Sequence, residues 1–373
     1  MTLIGPAEHS VYKCAYTKPD GRTLLLYGRT PIVTAQAIPS PPAGHNETDS
    51  HFRWHPLRGE WVVYAEHRQQ RTFLPPAEYN PLAPTTDEHN PTELPAGTYD
   101  VAVFENLFPT MTPHAKEPPP SIMETRSGTG ACDVVVFTQD PHGSLGSLSL
   151  SHLEVVLEVW ADRYRELGSR DEIQYVLPFE NRGVEVGVTL SHPHGQIYAY
   201  PFVPPLPALE LQHQAQYYAK HGRGLLEDHI EAEITDGRRL VYRGDEAVAF
   251  VPAFARYAYE VWIAPRRPSP SVASLSAAQR HDFARALKTV LLKYDGLWGT
   301  PFPYVMVFHQ APTDGQPHPE SHLHIECYSA YRMPGRLKYL AGSELGAGVF
   351  TSDTLPEAKA LELQAVRVRL DGQ

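Results

Sequence analysis

The sequence predicts an α+β fold built from a tandem duplication, in which each copy has a mostly antiparallel sheet and one crossing helix. Two segments with helical periodicity each follow an apolar strand and precede a strand that carries a His-x-His triplet. Corresponding residues of the two segments are 130 positions apart: Tyr164 and Tyr294, Leu167 and Leu297, His192 and His322, His194 and His324. The constant offset and the shared order of elements indicate an internal repeat, and chance agreement between common residue types is the alternative.

The N-terminal part of the chain is predicted to be rich in strands and turns. Residues 23–27 form an apolar strand candidate after a Pro-Asp-Gly turn, and the region around residues 38–42 is rich in proline. Prolines recur from residue 74 to residue 120 and exclude long helices there, which leaves one strand at 99–104. We expect a strand-rich extension over 1–51, a first half over 52–205 and a second half over 206–373.

Each predicted helix begins at a capping box and carries one apolar stripe. The first begins at Ser151-His152-Leu153-Glu154 and follows a strand at 133–137; the second begins at Ser276-Ala277-Ala278-Gln279 and follows a strand at 260–264. The stripe residues are Leu153, Leu157, Trp160, Tyr164 and Leu167 in the first helix, and Phe283, Leu287, Val290, Leu291 and Tyr294 in the second.

Composition limits the possible partners and compartment. The formal net charge of -11 argues against a surface that coats nucleic acid or an anionic membrane. The three cysteines are widely spaced and contain no Cys-x-x-Cys pair, which argues against a disulfide framework and fits a reducing cytoplasm. No stretch approaches about 18 consecutive apolar residues, and no signal peptide is recognisable, so we expect a cytoplasmic protein without a membrane span.

The two histidine triplets are the strongest chemical feature of the sequence. Residues two apart in a strand share a face, so each pair of imidazoles suits either a metal site or a catalytic site; ordinary surface or core histidines are the alternative. In the first triplet, Gly195 permits close approach beside His194, whose neutral imidazole can attack phosphorus while the Gln196 amide donates to phosphoryl oxygens. The second triplet lacks that glycine and, with His309 upstream, is better suited to a metal.

Several motifs together carry a resemblance to a known family. They are Phe179-Glu180-Asn181-Arg182-Gly183, His192-Pro193-His194-Gly195-Gln196, Trp54-His55-Pro56-Leu57-Arg58-Gly59-Glu60-Trp61, His67-Arg68-x-x-Arg71, Phe104-Glu105-Asn106-Leu107-Phe108 and Lys338-Tyr339-Leu340-Ala341-Gly342-Ser343-Glu344. The chain resembles, over most of residues 52–360, the galactose-1-phosphate uridylyltransferases, the two-copy transferase branch of the histidine triad superfamily. Glutamine at position 196, where hydrolases of the superfamily usually have histidine, favours the transferase branch.

The resemblance implies a nucleotidyltransferase of galactose catabolism, the Leloir pathway. Uridylyl would pass from UDP-glucose to His194, with release of glucose 1-phosphate, and then to galactose 1-phosphate, with release of UDP-galactose. Gln196 and His192 would complete the catalytic group. The residues at family nucleotide-binding positions are Arg68, Arg71, Asn106, Phe108, Asn181, Gly187 and Thr189. A solvated charged turn is the alternative for the two arginines, although a net-negative chain needs local cations at any phosphate.

The resemblance also implies a hexose-binding segment and a homodimer with shared active sites, because in the family this segment reaches the partner subunit. Its residues here are Lys338, Tyr339, Ala341, Ser343 and Glu344. Ser343 stands where familiar members have tyrosine, and the run 346–350 shows no obvious match to their sugar-binding glutamine. The choice of hexose is therefore the most open inference, and Glu344 is the best candidate to recognise a sugar hydroxyl.

For metals, the resemblance implies one structural zinc or iron ion per chain, held by Glu210, His309, His322 and His324. A second family site uses two cysteines and two histidines. Its cysteine positions correspond to Asn80 and Ala83 here and its third ligand falls near His142, so we predict that this zinc site is absent.

Two further readings of the same residues stay open. One is a related nucleotide-sugar phosphorylase or adenylyltransferase with the same histidine chemistry. The other is a non-catalytic nucleotide-binding protein.

Overall fold

A computed structural model describes residues 1–5, 10–34, 37–41, 49–70 and 79–370. The strands of the first half are β1 Thr2–Ile4, β2 Val11–Thr17, β3 Thr23–Gly28, β4 Val33–Thr34, β5 His51–His55, β6 Glu60–Tyr64, β7 Gly97–Thr98, β8 Val101–Glu105, β9 Thr125–Ser127, β10 Ala131–Val136, β11 Tyr175–Arg182 and β12 His194–Tyr200. Those of the second half are β13 Leu240–Arg243, β14 Ala247–Phe250, β15 Val261–Pro265, β16 Tyr304–His309, β17 His324–Ser329, β18 Tyr331–Met333 and β19 Arg336–Leu337.

Five α-helices and several short helical turns connect these strands. The α-helices in the described ranges are α1 Leu150–Gly168, α2 Pro205–His221, α3 Leu225–Asp236, α4 Ala277–Trp298 and α5 Pro356–Ala365. The short 3-10 turns are Glu66–Gln70, Leu145–Ser147, Val184–Val186 and Val272–Ser274, and one π-type turn spans Ser343–Ala347. Within the described part of the chain, no helix is long and apolar enough to cross a membrane.

Twelve of the strands form one continuous antiparallel sheet. Its order is β1-β2-β3-β8-β10-β12-β11-β16-β17-β15-β14-β13. The order β8-β10-β12-β11 in the first half is repeated in reverse as β16-β17-β15-β14 in the second, so the two halves are related by an approximate two-fold axis. They join where β11 pairs with β16, from Phe179 opposite Val307 to Arg182 opposite Tyr304. The α+β class and the duplicated arrangement of strand, helix and strand are confirmed.

The predicted helices cover one face of this sheet, and their apolar stripes explain why. The second stripe is fully buried, and in the first only Tyr164 remains partly exposed. Ile197 of β12 and Ile325 of β17 point into the same core. Because side chains alternate along a strand, the residues on either side of each isoleucine point to the opposite face. The helices therefore leave Gln196 and Glu326 on a face that is available for a site.

The start of the second helix is confirmed, but that of the first is wrong by two residues. Ser276 caps α4 and forms a reciprocal capping box with Gln279. Helix α1 is capped by Ser149, whose hydroxyl accepts from the backbone N–H of His152, and Ser151 lies inside the helix. Leu150 is buried, so an earlier start adds an apolar residue to the core.

Candidate active site and metal centre

The two histidine triplets have the same local geometry at matching places in the sheet. Nδ1 of His194 lies 2.8 Å from the carbonyl oxygen of His192, and Nδ1 of His324 lies 3.0 Å from that of His322. A carbonyl oxygen only accepts hydrogen bonds, so Nδ1 carries the proton and a neutral ring has its lone pair on Nε2. Both second histidines therefore present a nucleophilic or metal-ligating nitrogen.

The first histidine of each triplet is held differently from the second. The strands begin at His194 and His324, so His192 and His322 precede them, and the expectation that both imidazoles of a triplet lie in one strand is wrong. Nε2 of His192 is 2.7 Å from the carbonyl oxygen of Thr138, and Nε2 of His322 is 2.8 Å from that of Pro265. Burial lowers the pKa of His192, and it lowers that of His322 to about 4, which favours neutral rings.

The other nitrogen of His192 distinguishes the first triplet from the second. Its Nδ1 lies 3.0 Å from Nδ2 of Asn80, a residue 112 positions earlier in the chain. Nδ1 of His322 is buried and, within the described ranges, has no hydrogen-bond partner.

Gly195 is required by close packing beside His194. A Cβ at this position would lie 2.8 Å from the carbonyl oxygen of Phe179 and 2.7 Å from the ring of Phe137. The first of these atoms belongs to the backbone of the neighbouring strand, so it cannot move away without disturbing the sheet. The close backbone approach that the sequence suggested beside His194 is therefore present.

Three of the predicted nucleotide-binding residues form one cluster beside β10. Nη1 of Arg68 donates to the carbonyl oxygen of Phe108 at 3.1 Å, and the Phe108 N–H donates to Oδ1 of Asn106 at 2.9 Å. The Asn106 N–H in turn donates to the carbonyl oxygen of Cys132 on β10, at 2.8 Å. The cluster is thus anchored to the strand that pairs with β12.

The other predicted nucleotide-binding residues belong to β11 and the loop that follows it. Phe179 pairs with Gln196, and two further positions along the same antiparallel register bring Asn181 level with His194. Gly187 has a φ of 82° and ends the short turn Val184–Val186, and Thr189 lies between this turn and β12. Arg71 lies outside the described residues.

In the second half, a carboxylate and histidine cluster lies over β16 and β17. One ligand atom from each of Glu210, His309, His324 and Glu326 lies within 4.8 Å of the others. Oε2 of Glu210 is 2.6 Å from Nδ1 of His309, and Oε1 of Glu326 is 3.5 Å from Nε2 of His324. Burial alone would raise the pKa of Glu326, but His309 and His324 outweigh this and lower it to about 2.

This cluster fits a metal ion. Glu210, His309, His322 and His324 line a cavity of about 10 Å³, close to the space that one water occupies. Nitrogen and carboxylate ligands of this kind suit zinc or iron. The group of four converging ligand atoms contains Glu326, which the sequence reasoning missed, and His322 lines the same cavity.

The candidate nucleophile and the metal cluster lie on one face of the sheet but are well separated. Gln196, Phe179, Val307 and Glu326 are register partners across β12, β11, β16 and β17, and we call the face that they share the site face. Adjacent strands are about 4.8 Å apart, so the backbones of Gln196 and Glu326 are about 14 Å apart. Strands β11 and β16 therefore separate the strand that carries His194 from the strand that carries Glu326.

The predicted hexose-binding segment folds on itself at the surface of the second half. The Glu344 carboxylate accepts from the backbone N–H of Ala341 at 3.1 Å and lies 3.4 Å from Nζ of Lys338. Hydrogen bonds from backbone N–H groups, that of Ala341 above all, and from Lys338 lower the pKa of Glu344 to about 2. The Ser343 hydroxyl donates to the carbonyl oxygen of Val349. Tyr339 is 77% exposed. Among the described contacts of these residues, none reaches His194 of the same chain.

Comparison with known proteins identifies the family. Residues 43–204 match the N-terminal domain of galactose-1-phosphate uridyl transferase, and residues 210–367 match its C-terminal domain. The chain belongs to the galactose-1-phosphate uridylyltransferase family. It is therefore an enzyme of the transferase class, and the resemblance found in the sequence is confirmed.

Relatives within this family align over most of their length. The galactose-1-phosphate uridylyltransferase of Thermotoga maritima is 34% identical over 86% of this chain and 99% of its own length. That of Streptomyces lividans is 37% identical over 79% of each protein. A solved uridylyltransferase structure is 36% identical and superposes with a TM-score of 0.77 over 85% of this chain and 98% of its own.

In this member of the galactose-1-phosphate uridylyltransferase family, Glu326 and Asn80 differ in how far the sequence could have revealed their contacts. Glu326 is two positions after His324 in a strand, so the same-face rule that paired the histidines would also have found it. No local pattern singles out Asn80; only the family resemblance does, because Asn80 stands at a cysteine position of the second family metal site. Its contact with His192 exists once the sheet has brought distant segments together.

Proposed function

We propose that this chain exchanges uridylyl between UDP-glucose and galactose 1-phosphate in a ping-pong cycle through His194. The observation that carries the proposal is the hydrogen bond from Nδ1 of His194 to the His192 carbonyl oxygen, because it leaves the lone pair of the neutral ring on Nε2. Membership of the uridylyltransferase family supports the choice of substrates.

In the first half-reaction, Nε2 of His194 attacks the α-phosphorus of UDP-glucose. A P–N bond forms as the bond from that phosphorus to the bridging oxygen breaks, and the electron pair leaves with glucose 1-phosphate. The ring gains positive charge, which the His192 carbonyl oxygen stabilises at Nδ1–H. In the second half-reaction, a phosphate oxygen of galactose 1-phosphate attacks the same phosphorus, His194 leaves, and UDP-galactose forms.

Gln196 is the proposed donor to the transferring phosphoryl group. It shares the site face with His194, two residues along β12, and an amide donates hydrogen bonds without taking up or losing a proton. The cluster of Arg68, Asn106 and Phe108 and the residues Asn181, Gly187 and Thr189 form the proposed nucleotide site. Arg68 and Arg71 supply the local positive charge that a chain of net charge -11 needs at a diphosphate.

The proposed hexose site combines residues of two subunits. Lys338, Tyr339, Ala341, Ser343 and Glu344 belong to a surface segment whose described contacts stay within the second half. The same segment exposes a group of large apolar residues, which monomeric surfaces rarely gather in one place: Tyr339, Leu340, Leu345 and Val349. We propose a homodimer in which this segment contacts the active site of the partner subunit.

One structural divalent ion, zinc or iron, is proposed for the cavity lined by Glu210, His309, His322 and His324. Glu326 is a further ligand candidate. The ion would hold α2 against β16 and β17, and its distance from Gln196 supports a structural role. The cysteine-type zinc site remains predicted to be absent. We also propose a cytoplasmic location and the organisation 1–51, 52–205 and 206–373 stated above.

Labelling tests the nucleophile. Incubation with UDP-glucose carrying radiolabelled α-phosphate, without acceptor, should give about one acid-labile label per active site. His194→Gly should give none, whereas His89→Gly, which removes an exposed loop histidine, should label normally. Label retained in His194→Gly would reassign the nucleophile. Label from ADP-glucose instead, or release to inorganic phosphate instead of galactose 1-phosphate, would indicate an adenylyltransferase or phosphorylase.

Subunit mixing tests the shared site. His194→Gly and Glu344→Ala subunits should each be inactive as homodimers. A mixed dimer should recover one working site, because it unites an intact His194 with an intact Glu344 from the partner. Recovery of about a quarter of the wild-type activity per total subunit in an equal mixture is expected, since half of the dimers are mixed. Absence of recovery, with mixed dimers verified by differential tagging, would contradict sharing.

A further inference from the structure

We propose that Asn80 is a positioning residue for the transfer reaction. Asn80 fixes the tautomer and orientation of the His192 ring, and the His192 carbonyl oxygen in turn fixes the ring of His194. This inference rests on the proposed role of His194 as the nucleophile. Four hydrogen bonds in sequence carry it.

The orientation of the Asn80 amide is fixed by its own turn. The backbone N–H of Leu82 donates to Oδ1 of Asn80 at 3.0 Å. A backbone N–H only donates, so the oxygen of the amide faces Leu82, and the NH₂ group faces Nδ1 of His192 at 3.0 Å. Asn80 is therefore the donor in the contact with His192.

The donor at Asn80 determines the tautomer of His192. Nδ1 accepts, so in the neutral ring the proton is on Nε2, where it faces the carbonyl oxygen of Thr138 at 2.7 Å. Both nitrogens of this buried ring are thus satisfied in one tautomer only. The opposite tautomer would set two donors against each other at Nδ1 and two acceptors at Nε2.

The ring of His192 in turn fixes the carbonyl oxygen that holds the nucleophile. Nδ1 of His194 donates to this oxygen at 2.8 Å. On the other side, the carbonyl oxygen of Pro193 accepts from the N–H of Phe137 at 3.1 Å. The peptide between His192 and His194 is held at both ends, so a displaced His192 ring would turn the His194 imidazole away from the phosphorus.

The segment that carries Asn80 is itself braced by the N-terminal extension. The N–H of Glu93 donates to the carbonyl oxygen of Pro81 at 3.0 Å. The Glu93 carboxylate pairs with Nη2 of Arg22 at 2.9 Å and also with Lys18, and all three side chains are buried. The strand residues that precede and follow Lys18 and Arg22 belong to the main sheet, so Asn80 is tied to a rigid support.

The second half supplies an internal comparison. His322 has the same bond from Nε2 to a carbonyl oxygen, but its buried Nδ1 has no partner among the described residues. An amide thus donates to the first histidine of the triplet that ends in the proposed nucleophile, whereas no described residue donates to Nδ1 of His322.

Two substitutions test the proposal, and each is followed by a measurement that a purely structural role of Asn80 would leave unchanged. Asn80→Ala removes the amide that donates to Nδ1 of His192. The rate of single-turnover labelling at saturating UDP-glucose should then fall by about 10- to 100-fold, because a nucleophile displaced by a fraction of an ångström attacks more slowly. The KM for UDP-glucose should change by less than about threefold, because Asn80 is not part of the proposed nucleotide site. A labelling rate within about twofold of wild type would overturn the proposal.

Asn80→Asp keeps the shape of the side chain but replaces the donor with an acceptor. The ¹⁵N shift of His192 Nδ1 should then move from that of an unprotonated nitrogen to that of a protonated one. Asn90→Asp adds the same charge at an exposed position of the same segment and should leave the shift unchanged. An unchanged His192 shift in Asn80→Asp would refute the assigned tautomer.

The tests separate this inference from the proposed function. If the wild-type protein takes up no label, the proposed function fails, and the nitrogen shift still decides whether Asn80 sets the tautomer. If wild type labels and Asn80→Ala labels equally fast with a matching melting temperature, only the role of Asn80 fails. Should Asn80→Asp not fold, the ¹⁵N shifts of Asn80→Ala, which should show mixed tautomers, replace it.

Discussion

Glu180 is a carboxylic acid buried in the central sheet, on β11 beside the β11–β16 junction. Its side chain is 3% exposed, and Oε2 accepts from the Tyr304 hydroxyl at 2.8 Å. Burial raises the pKa of Glu180 from 4.5 to about 7, because the charged form loses its hydration and one hydroxyl replaces little of it. The folded protein thus holds this proton more tightly than the unfolded chain does.

The consequence for stability has a definite sign. The contribution of Glu180 is fully present below about pH 4.5 and is lost as the pH rises through 7. Each pH unit between these values is worth about 1.4 kcal/mol, so the total is about 3 kcal/mol. About 2 kcal/mol of this falls between pH 5.5 and 8.5. Glu180→Gln stays neutral and still accepts from Tyr304, so it should not lose this energy.

Urea unfolding at pH 5.5, 6.5, 7.5 and 8.5 measures the difference directly. The free energy of unfolding of Glu180→Gln minus that of wild type should rise by about 2 kcal/mol across this range. Glu172→Gln, which removes the same charge from an exposed position, should differ from wild type by less than about 0.5 kcal/mol. A difference between Glu180→Gln and wild type that is constant with pH would refute the reasoning.

Three further outcomes are expected. Gly195→Ala should cost about 2 kcal/mol of stability and slow labelling at least tenfold, because its Cβ meets the Phe179 carbonyl oxygen. Gly346→Ala, whose Cβ meets nothing within 4 Å, should leave the free energy of unfolding unchanged. Chelation of the metal should lower the melting temperature by about 6 °C with little change in the labelling rate at 25 °C; the reverse pattern would argue for a catalytic ion. Arg163→Met should lower the free energy of unfolding in urea by about 3–5 kcal/mol. The Arg163 guanidinium lies 2.9 Å from the Asp133 carboxylate, which the substitution would leave buried without an ionic partner. A loss below about 1 kcal/mol would contradict this prediction.

Local patterns predicted the elements of the fold well where one face of an element is buried. The apolar stripes of α1 and α4 identified both helices, and Ser276 identified the start of α4. The start of α1 was missed because Ser151 has glutamate three residues later, as a capping box requires, whereas Ser149 has histidine. Burial of Leu150 outweighed that local preference, and burial is not encoded in a four-residue motif.

Residue patterns alone predicted the site only as far as its residues share a strand or a motif, and the family resemblance was needed to include Glu210. His194 and Gln196 follow from one short run, and Glu326 was within reach of the same-face rule. The converging position of Glu210, by contrast, depends on how α2 lies over the sheet, and the Asn80 contact depends on the packing of a segment 112 residues away. Such placements arise from strand order and register, which no local pattern specifies.

The junction between β11 and β16 also bears on how the chain is made. β11 ends at Arg182, and its partner begins at Tyr304, about 120 residues later. At about 5–20 residues per second, the ribosome needs roughly 6–24 s to synthesise the intervening chain. During this interval, the first half has an unpaired strand edge with open N–H and C=O groups, which other nascent chains can extend. A first half produced alone should therefore pair through β11 with a second copy of itself or aggregate, and early protection by a chaperone should raise the yield of the full chain.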